Sequence, residues 1–194
     1  MSPDFQRAQT EATKLLLRQD VNQLKIDVRR FKYDKRIIID SVQHYAALVK
    51  QDISCFITKE FNGSCLLKYK DRGLFIVLYD ENEPNEEKKH WGITHEIGHI
   101  YLGHEKDDDI EEIEAHFFAA QIIAPEIVLL YFAKLNHGHL ESYDIYSNFN
   151  CSLQAAQKRI KTLSSYHWSN TLYDQQLLSK FKPLVEKQFA YKQT

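Results

Sequence analysis

Several features that define other classes of protein are scarce in this sequence. Its three cysteines, Cys55, Cys65 and Cys151, form no C-x-x-C pair and are odd in number, which argues against a disulfide framework and favours a reducing compartment. Residues 1–20 lack the apolar core of a signal peptide, and no apolar run is long enough to cross a bilayer. We therefore expect a cytoplasmic protein without a membrane partner.

An excess of charge of one sign is also lacking. The formal net charge is −2 over 194 residues, so no global positive field would attract nucleic acid. The one basic run, residues 29–36, carries no recognisable binding motif and is interpreted as a solvated connection. The hydrophobic fraction of 43% is sufficient for a sizeable core. This composition favours one globular domain with room for terminal extensions.

The most informative stretch is His95-Glu96-Ile97-Gly98-His99, which has the pattern H-E-x-x-H. Residues four apart lie on one face of a helix, so His95 and His99 can bind one zinc ion. Glu96 is placed where its carboxylate can activate a water molecule. Apolar residues around the motif predict a buried helix that stops at Gly103. Gly98 costs about 1 kcal/mol in helix propensity, which indicates close packing or metal access there.

Two histidines leave a tetrahedral zinc site one protein ligand short, with the fourth position kept for water. A third histidine in the spacing H-x-x-G-x-x-H is excluded, because Gly103 and His104 do not fit that register. A glutamate from the next helix is the other common solution. Glu111, Glu112 and Glu114 all qualify by their separation along the chain.

The periodicity of apolar residues predicts a mixture of helices and short strands. Three segments rich in β-branched and aromatic residues, 53–58, 64–69 and 74–79, are interpreted as a small antiparallel sheet whose edge could receive an extended peptide. Helices are predicted over residues 3–18, from residue 20 onward, from residue 40 or 41 to 49, from a cap at Asp108 or Asp109 to about residue 124, and over 126–135 and 172–191.

Residues 143–163 are predicted to form a short helix, a turn at 148–150 and a longer helix. This outline allows a helix-turn-helix interpretation in which Gln154, Gln157, Lys158 and Arg159 contact DNA. Without a net positive charge, a packed helical pair is the preferred interpretation. The preceding loop with His137 and His139 is expected to be ordinary surface rather than a metal site.

Two linked motifs resemble those of the ImmA/IrrE family of metallopeptidases. The first is HEIGHIYLGH over residues 95–104, and the second is EIEAHFFAAQIIAP over residues 112–125, which is similar to the family pattern E-A-N-x-F-A-A-x-L-L-x-P. Residues 149–152 with Ala155, Ala156, Arg159 and Ile160 are similar to the family's closing helix pair. The resemblance covers residues 40–163, and His116 departs from the family's usual asparagine.

The resemblance implies an α+β fold with a zincin-like core, in which a small antiparallel β-sheet and the H-E-x-x-H helix are surrounded by additional helices. It divides the chain into a helical extension (1–39), the peptidase domain (40–163) and an amphipathic helix (164–194). It implies a Zn²⁺ site of His95, His99 and Glu114, with Glu96 as the catalytic residue. Its implied protein substrate is a DNA-binding repressor of a phage or mobile element; the oligomeric state stays open.

Two other interpretations remain open at the sequence level. The domain could be a non-catalytic binder that displaces a repressor or antitoxin, although an intact Glu96 argues against a purely structural zinc site. A deformylase-like hydrolase would use Cys65 as a ligand, but the accompanying glycine–glutamine motif is missing. The residue that stabilises the oxyanion is not identifiable from sequence. The candidates are His104, His116, Tyr101 and Tyr131.

Overall fold

The computed structural model describes residues 2–57, 61–106, 108–165 and 171–192. It confirms an α+β fold, in which helices surround a three-stranded sheet. The helices are α1 (Phe5–Leu17), α2 (Val42–Val49), α3 (Glu86–Leu102), α4 (Asp109–Ile123), α5 (Glu126–Leu135), α6 (Ser142–Asn148), α7 (Leu153–Ser165) and α8 (Leu172–Lys192), and the strands are β1 (Arg36–Ser41), β2 (Ser64–Tyr69) and β3 (Leu74–Tyr79).

The sheet is mixed rather than antiparallel. Its order is β1-β3-β2, with β1 parallel to β3 and β2 antiparallel to β3. The predicted strands at 64–69 and 74–79 are confirmed, but the strand predicted at 53–58 is wrong. Ile53–Cys55 forms a 3-10 turn because the Asp52 side chain accepts a hydrogen bond from the Ser54 amide, and residue 58 lies outside the described residues.

The third strand, β1, was not predicted; it begins at Arg36, the last residue of the basic run that was interpreted as a solvated connection. Its apolar residues Ile37, Ile38 and Ile39 pair with the buried centre of β3, in the register Ile38↔Ile76. A parallel pair needs a long connection, and α2 supplies part of it. The strand also runs across the proposed domain boundary at residue 39, so the three-part division of the chain stays a prediction.

The N-terminal segment is only partly as predicted. Helix α1 is confirmed and packs against α4 and α8, but the helix expected from residue 20 is wrong. Leu24, Ile26 and Val28 are buried at every second position, which is the period of an extended chain. Only a 3-10 turn, Val28–Arg30, interrupts this segment.

Helices α3 and α4 form the centre of the molecule and approach each other closely at Gly98. A Cβ atom at this position would lie 3.2 Å from both the Ala115 carbonyl oxygen and Phe118 Cδ1, so glycine permits the contact. Ile97 and Phe118 are fully buried beside it. The close packing predicted at Gly98 is therefore confirmed, and it sets the distance between the two helices that carry the site.

The ends of these helices follow from capping residues. Asn85 accepts a hydrogen bond from the Lys88 amide at the start of α3, and Gly103 ends the helix with a left-handed backbone (φ 66°). Asp108 accepts hydrogen bonds from the Ile110 and Glu111 amides and begins α4. The predicted stop at Gly103 is confirmed, and the short loop between the two caps brings both helices to one end of the core.

The C-terminal helices complete the core. Helices α6 and α7 pack against each other, and α8 buries Leu177, Phe181 and Val185. Residues 166–170 and 193–194 of the proposed C-terminal segment lie outside the described part of the chain. Among the described residues, no single helix is long and apolar enough to cross a membrane, whereas α4 and α5 pass that test as a pair bent by 44°.

Candidate metal site

Helix α3 places the two motif histidines on one buried face. Their Nε2 atoms lie 3.0 Å apart, and the ring centroids are separated by 4.7 Å. Both rings are largely buried, so their orientation is restricted by the surrounding core. The predicted pairing of His95 and His99 on one helix face is what the structure shows.

The third side chain at this point is Glu112, from the first turn of α4. Its Oε2 atom lies 3.2 Å from His95 Nε2, and its Oε1 atom lies 3.1 Å from His99 Nε2. The hydrogen bond with His95 lowers the pKa of Glu112 to about 2 despite partial burial. Among the described residues, this is the one group of three or more His, Cys, Asp or Glu side chains close enough to hold a metal ion.

Glu114, the ligand implied by the sequence resemblance, does not lie with the two rings. Its carboxylate accepts hydrogen bonds from the Asp4 amide at 2.7 Å and from Arg7 Nη2 at 2.6 Å, and it contacts His104 Nε2 at 3.0 Å. At 100° per residue, positions 112 and 114 point about 200° apart around the helix, so only one of them can face α3's histidines. The structure places Glu112, and not Glu114, beside the two histidines, so Glu112 is the candidate for the third position of the site.

Glu114 instead contacts the site indirectly, through His104. His104 Nδ1 lies 3.1 Å from His99 Nδ1, and His104 Nε2 contacts Glu114. When His99 Nε2 keeps its lone pair for a metal, His99 Nδ1 donates to His104, and His104 Nε2 then donates to Glu114. Although burial raises it, the pKa of Glu114 is held low by hydrogen bonds from Asp4, His104 and Arg7. This chain of contacts fixes the tautomer and orientation of His99.

Glu111, the remaining acidic candidate, is also used elsewhere. Its carboxylate accepts hydrogen bonds from the backbone amides of Glu105 and Lys106, in the loop that joins the two helices. The three glutamates therefore have different contacts. Glu111 holds the loop, Glu112 faces the two histidines, and Glu114 helps to orient His99 through His104. By their separation along the chain Glu111, Glu112 and Glu114 all qualified, and no local signal singles out Glu112, because the choice depends on the rotation of α4 against α3.

Glu96 is half-buried and faces the start of β2. Its Oε1 atom accepts a hydrogen bond of 2.9 Å from Ser64 Oγ. A Cβ atom on Gly92 would lie 2.7 Å from that hydroxyl oxygen, so the glycine allows β2 to approach α3 at this point. Sequence reasoning did not identify Ser64 as part of the site, because nothing in its neighbourhood along the chain indicates this contact.

Cys65 does not join the cluster. Side chains alternate across a strand, so Cys65 points away from Glu96's side of β2 and packs in the cluster of Val42, Ile76 and Leu78. Burial, with a contribution from Glu96, raises the pKa of its thiol to about 11. The site therefore has no cysteine ligand, and the deformylase-like interpretation is not supported.

Of the four candidates for an oxyanion-stabilising residue, one borders the cluster from the open side. The His116 ring lies 4.4 Å from that of His95 and stacks on Trp91 at 6.1 Å. His104 is buried behind His99, Tyr101 donates a hydrogen bond to Asp34, and Tyr131 donates one to Glu186. The position of His116 makes it the remaining candidate.

A pocket of about 690 Å³ begins beside His116 and extends between α3, α4 and α7. Its walls include Trp91, Phe117, Ala120 and Arg159. The sequence analysis considered Arg159 a possible DNA contact, but the residue is 4% exposed and cannot reach a nucleic acid from this position. Helices α6 and α7 pack against each other as predicted, and the expectation that they do not contact DNA stays a prediction.

The fold and the site together define a class: an α+β protein with a candidate metal site built on two adjoining helices. A peptidase-family model described as the IrrE N-terminal-like domain matches residues 62–161, just over half of the chain. The chain belongs to the ImmA/IrrE family of metallopeptidases, as the sequence motifs predicted. Neither a search of curated proteins nor a search of solved structures finds a match. The matched region contains both helices of the site, whereas α1, β1 and α8 lie outside it.

Proposed function

We propose that this protein is a zinc-dependent endopeptidase with a zincin-like core. Zinc would be held by His95, His99 and Glu112, with Glu112 taking the role that the sequence resemblance assigned to Glu114. Glu96 is the general base. The observation that carries the proposal is the convergence of these three donor groups next to a glutamate that is not itself one of them.

The donor set fits a zinc ion. Three ligands at about 2.0–2.1 Å in a tetrahedral arrangement lie about 3.3 Å from one another. The two Nε2 atoms here are 3.0 Å apart, and each lies 3.1–3.2 Å from one of the two carboxylate oxygens of Glu112. Two imidazoles and one carboxylate are a common ligand set for catalytic zinc, in which a fourth position is kept open. The partial exposure of Glu112, 43% of its side chain, leaves the group accessible from solvent.

Bound zinc would polarise the scissile carbonyl group and lower the pKa of the attacking water. Glu96 accepts the proton of that water and delivers it to the leaving amine. The hydrogen bond from Ser64 holds one carboxylate oxygen of Glu96, which orients the other for this proton transfer. His116 lies where its ring can donate a hydrogen bond to the developing oxyanion.

The edge of the sheet offers a place for the substrate backbone. Within the described residues, β2 pairs with β3 on one side and has no strand on the other. An extended peptide can add to such an edge through main-chain hydrogen bonds. Because Ser64, the first residue of β2, contacts Glu96, a peptide bound there would pass the general base.

The family resemblance supports a narrow substrate, a cytoplasmic DNA-binding repressor of a phage or mobile element. We propose that the protein inactivates such a repressor by cleaving it and makes no direct contact with nucleic acid. The competing hypothesis, displacement without cleavage, predicts an intact repressor after the two proteins are mixed. The products of a single incubation therefore separate the two mechanisms.

The decisive variant is Glu96→Gln, which keeps the shape of the side chain but removes the base. We expect cleavage of a repressor encoded beside the peptidase gene to fall at least about 100-fold, since general-base catalysis contributes 10²–10⁴-fold. Zinc content, measured by mass spectrometry of the metal, should remain one per chain. Glu81→Gln, at an exposed position, is the matched control. Undiminished cleavage by the Glu96 variant would refute the assigned role.

A further inference from the structure

The buried arginine of α7 is the starting point. Arg159 Nε donates a hydrogen bond to the Ala124 carbonyl oxygen at 3.1 Å. Its Nη1 and Nη2 atoms are buried and have no hydrogen-bond partner among the described residues. Native structures rarely leave a buried cation in this condition, because an uncompensated charge is strongly destabilising. The two unpaired nitrogens indicate a position prepared for an anion.

Arg159 forms part of the wall of the 690 Å³ pocket that begins at His116. Most of the lining is apolar and includes Trp91, Phe117 and Ala120. The acidic side chain in the lining is Glu87, at the start of α3, and Lys88 and Lys158 add positive charge. The pocket therefore combines an apolar body with a buried guanidinium, which suits a carboxylate carried on an aliphatic stem.

The nearest internal counter-charge is Glu126, but it compensates Arg159 incompletely. No ion pair within 4.0 Å joins the two side chains in the described structure. Burial raises the pKa of Glu126 to about 7, so this carboxyl group is partly protonated at neutral pH. Burial also lowers the pKa of Arg159, but only to about 10, so the guanidinium stays charged.

The pocket connects this arginine to the candidate metal site. His116, which contacts the His95 ring, and Ala124, which accepts the Arg159 hydrogen bond, stand eight residues apart along α4. Eight helical residues span about 12 Å at 1.5 Å per residue. An extended peptide covers that distance in about three to four residues at 3.3–3.6 Å each.

We propose that this pocket is a substrate subsite that receives an acidic side chain three or four residues from the scissile bond, with Arg159 as its counter-ion. The inference rests on the proposed peptidase function. A carboxylate can accept two parallel hydrogen bonds from the free guanidinium nitrogens. The substrate then satisfies a buried charge that the free protein leaves unpaired.

The first test measures binding alone and needs neither zinc nor cleavage. Hexanoate and hexanamide have the same stem and differ in charge, and both are titrated into the full chain by ligand-observed NMR. We expect hexanoate to bind at least 10-fold more tightly. Equal affinities for the two probes would overturn the proposal, whatever the behaviour of any variant.

Variants then show whether Arg159 causes the preference for hexanoate over hexanamide. Arg159→Met should remove the preference for hexanoate, and Arg159→Lys should retain part of it. Lys161→Met, which removes an exposed cation from the same helix outside the pocket, should leave the preference unchanged. A folded Arg159→Met protein that still prefers hexanoate would refute the assignment to this residue.

The second test uses the zinc-loaded protein and a mixture of random dodecapeptides, with cleavage sites read by mass spectrometry. We expect aspartate or glutamate to be enriched at the third or fourth residue from the cut, and Arg159→Met to abolish that enrichment. Cleavage without an acidic preference would refute the assignment of the pocket as a substrate subsite. A free organic acid would then be the remaining candidate for its occupant. Absence of all cleavage would count against the peptidase function, whereas the hexanoate comparison would still decide the pocket.

Discussion

Two glutamates of α4, only two residues apart, have opposite environments. Glu112 lies at the mouth of the site with 43% of its side chain exposed, and its two oxygens face His95 and His99. Glu114 has 6% of its side chain exposed and is enclosed by Asp4, Arg7 and His104. Both pair with histidines of the same region, yet only Glu112 faces an open space.

The difference shows how one helix can provide both a candidate metal ligand and a residue that orients a neighbouring one. Glu114 accepts several hydrogen bonds from groups in fixed positions, so its oxygens have no free direction for a metal. The neighbours of Glu112 are His95 and His99, which are themselves potential metal ligands. The negative charge of Glu112 therefore remains available to a metal ion. Glu114 acts on His99 through His104, which is a positioning role rather than a ligand role.

Zinc affinity is the measurement that tests the difference between Glu112 and Glu114 most strongly. We expect Glu112→Gln to lower the affinity by more than the 10–100-fold that is typical of losing an outer-shell partner, because it removes a ligand. Glu114→Gln should stay within that range. Competition with a fluorescent chelator at pH 7.5 measures both variants. A larger loss for Glu114→Gln would restore it as the third ligand.

A third histidine of α3 extends the comparison, because His90 is buried and forms no ion pair with a carboxylate within 4.0 Å among the residues that the structure describes. Its Nε2 accepts a hydrogen bond from the Val28 amide, and Asp27, Arg29 and Glu86 are its charged neighbours. Burial lowers its pKa from 6.5 to about 4, so the folded state binds fewer protons than the unfolded state between these values.

Stability should therefore fall as the pH is lowered from 6.5 through 4, by about 3 kcal/mol for this group at 1.36 kcal/mol per pKa unit. Urea unfolding of the metal-free protein at pH 7 and pH 4 measures the change. His90→Gln should reduce the pH dependence by that amount, and His44→Gln, at an exposed position, should not. An unchanged pH dependence in the His90 variant would show that its burial is not the cause.

In the absence of metal, Glu114→Gln should lower the free energy of unfolding more than Glu112→Gln does. This is the reverse of the order expected for zinc affinity. Glu114→Gln leaves buried polar partners without a matching acceptor, and we expect a loss of about 2 kcal/mol in the free energy of unfolding. Glu112→Gln, at a partly exposed position, should change it by less than about 0.5 kcal/mol. Urea titrations at pH 8 with a chelator present compare the two. Similar losses would mean that both carboxylates are structural.

A smaller loss of stability than that of Glu114→Gln is expected for a change at Arg7, which reaches Glu114 from α1. Because 46% of its side chain is exposed, solvent screens the ion pair, and Arg7→Met should cost about 0.5–1 kcal/mol. Zinc affinity should fall only a few-fold. Arg30→Met, which alters an exposed arginine distant from Glu114 in sequence, serves as the control. A loss equal to that of Glu114→Gln would show that α1 is essential to the positioning network.

Part of this organisation was readable from local sequence. The spacing of His95 and His99, the stop at Gly103, the cap at Asp108 and the packing role of Gly98 all depend on neighbours within one or two turns. The parallel strand β1 was missed because its partner lies 38 residues away, and the extended segment after α1 was mistaken for a helix.

The sequence by itself determined the family and the pair of histidines on one helix face, because a helix of fixed pitch converts spacing along the chain into a shared face. The tertiary structure alone decided which glutamate faces the histidines, since that depends on the rotation of α4 against α3 at Gly98. It also decided that Ser64 contacts Glu96 and that two nitrogens of the buried Arg159 have no hydrogen-bond partner within the described part of the chain. These contacts join residues up to 35 positions apart, whose proximity no local pattern encodes.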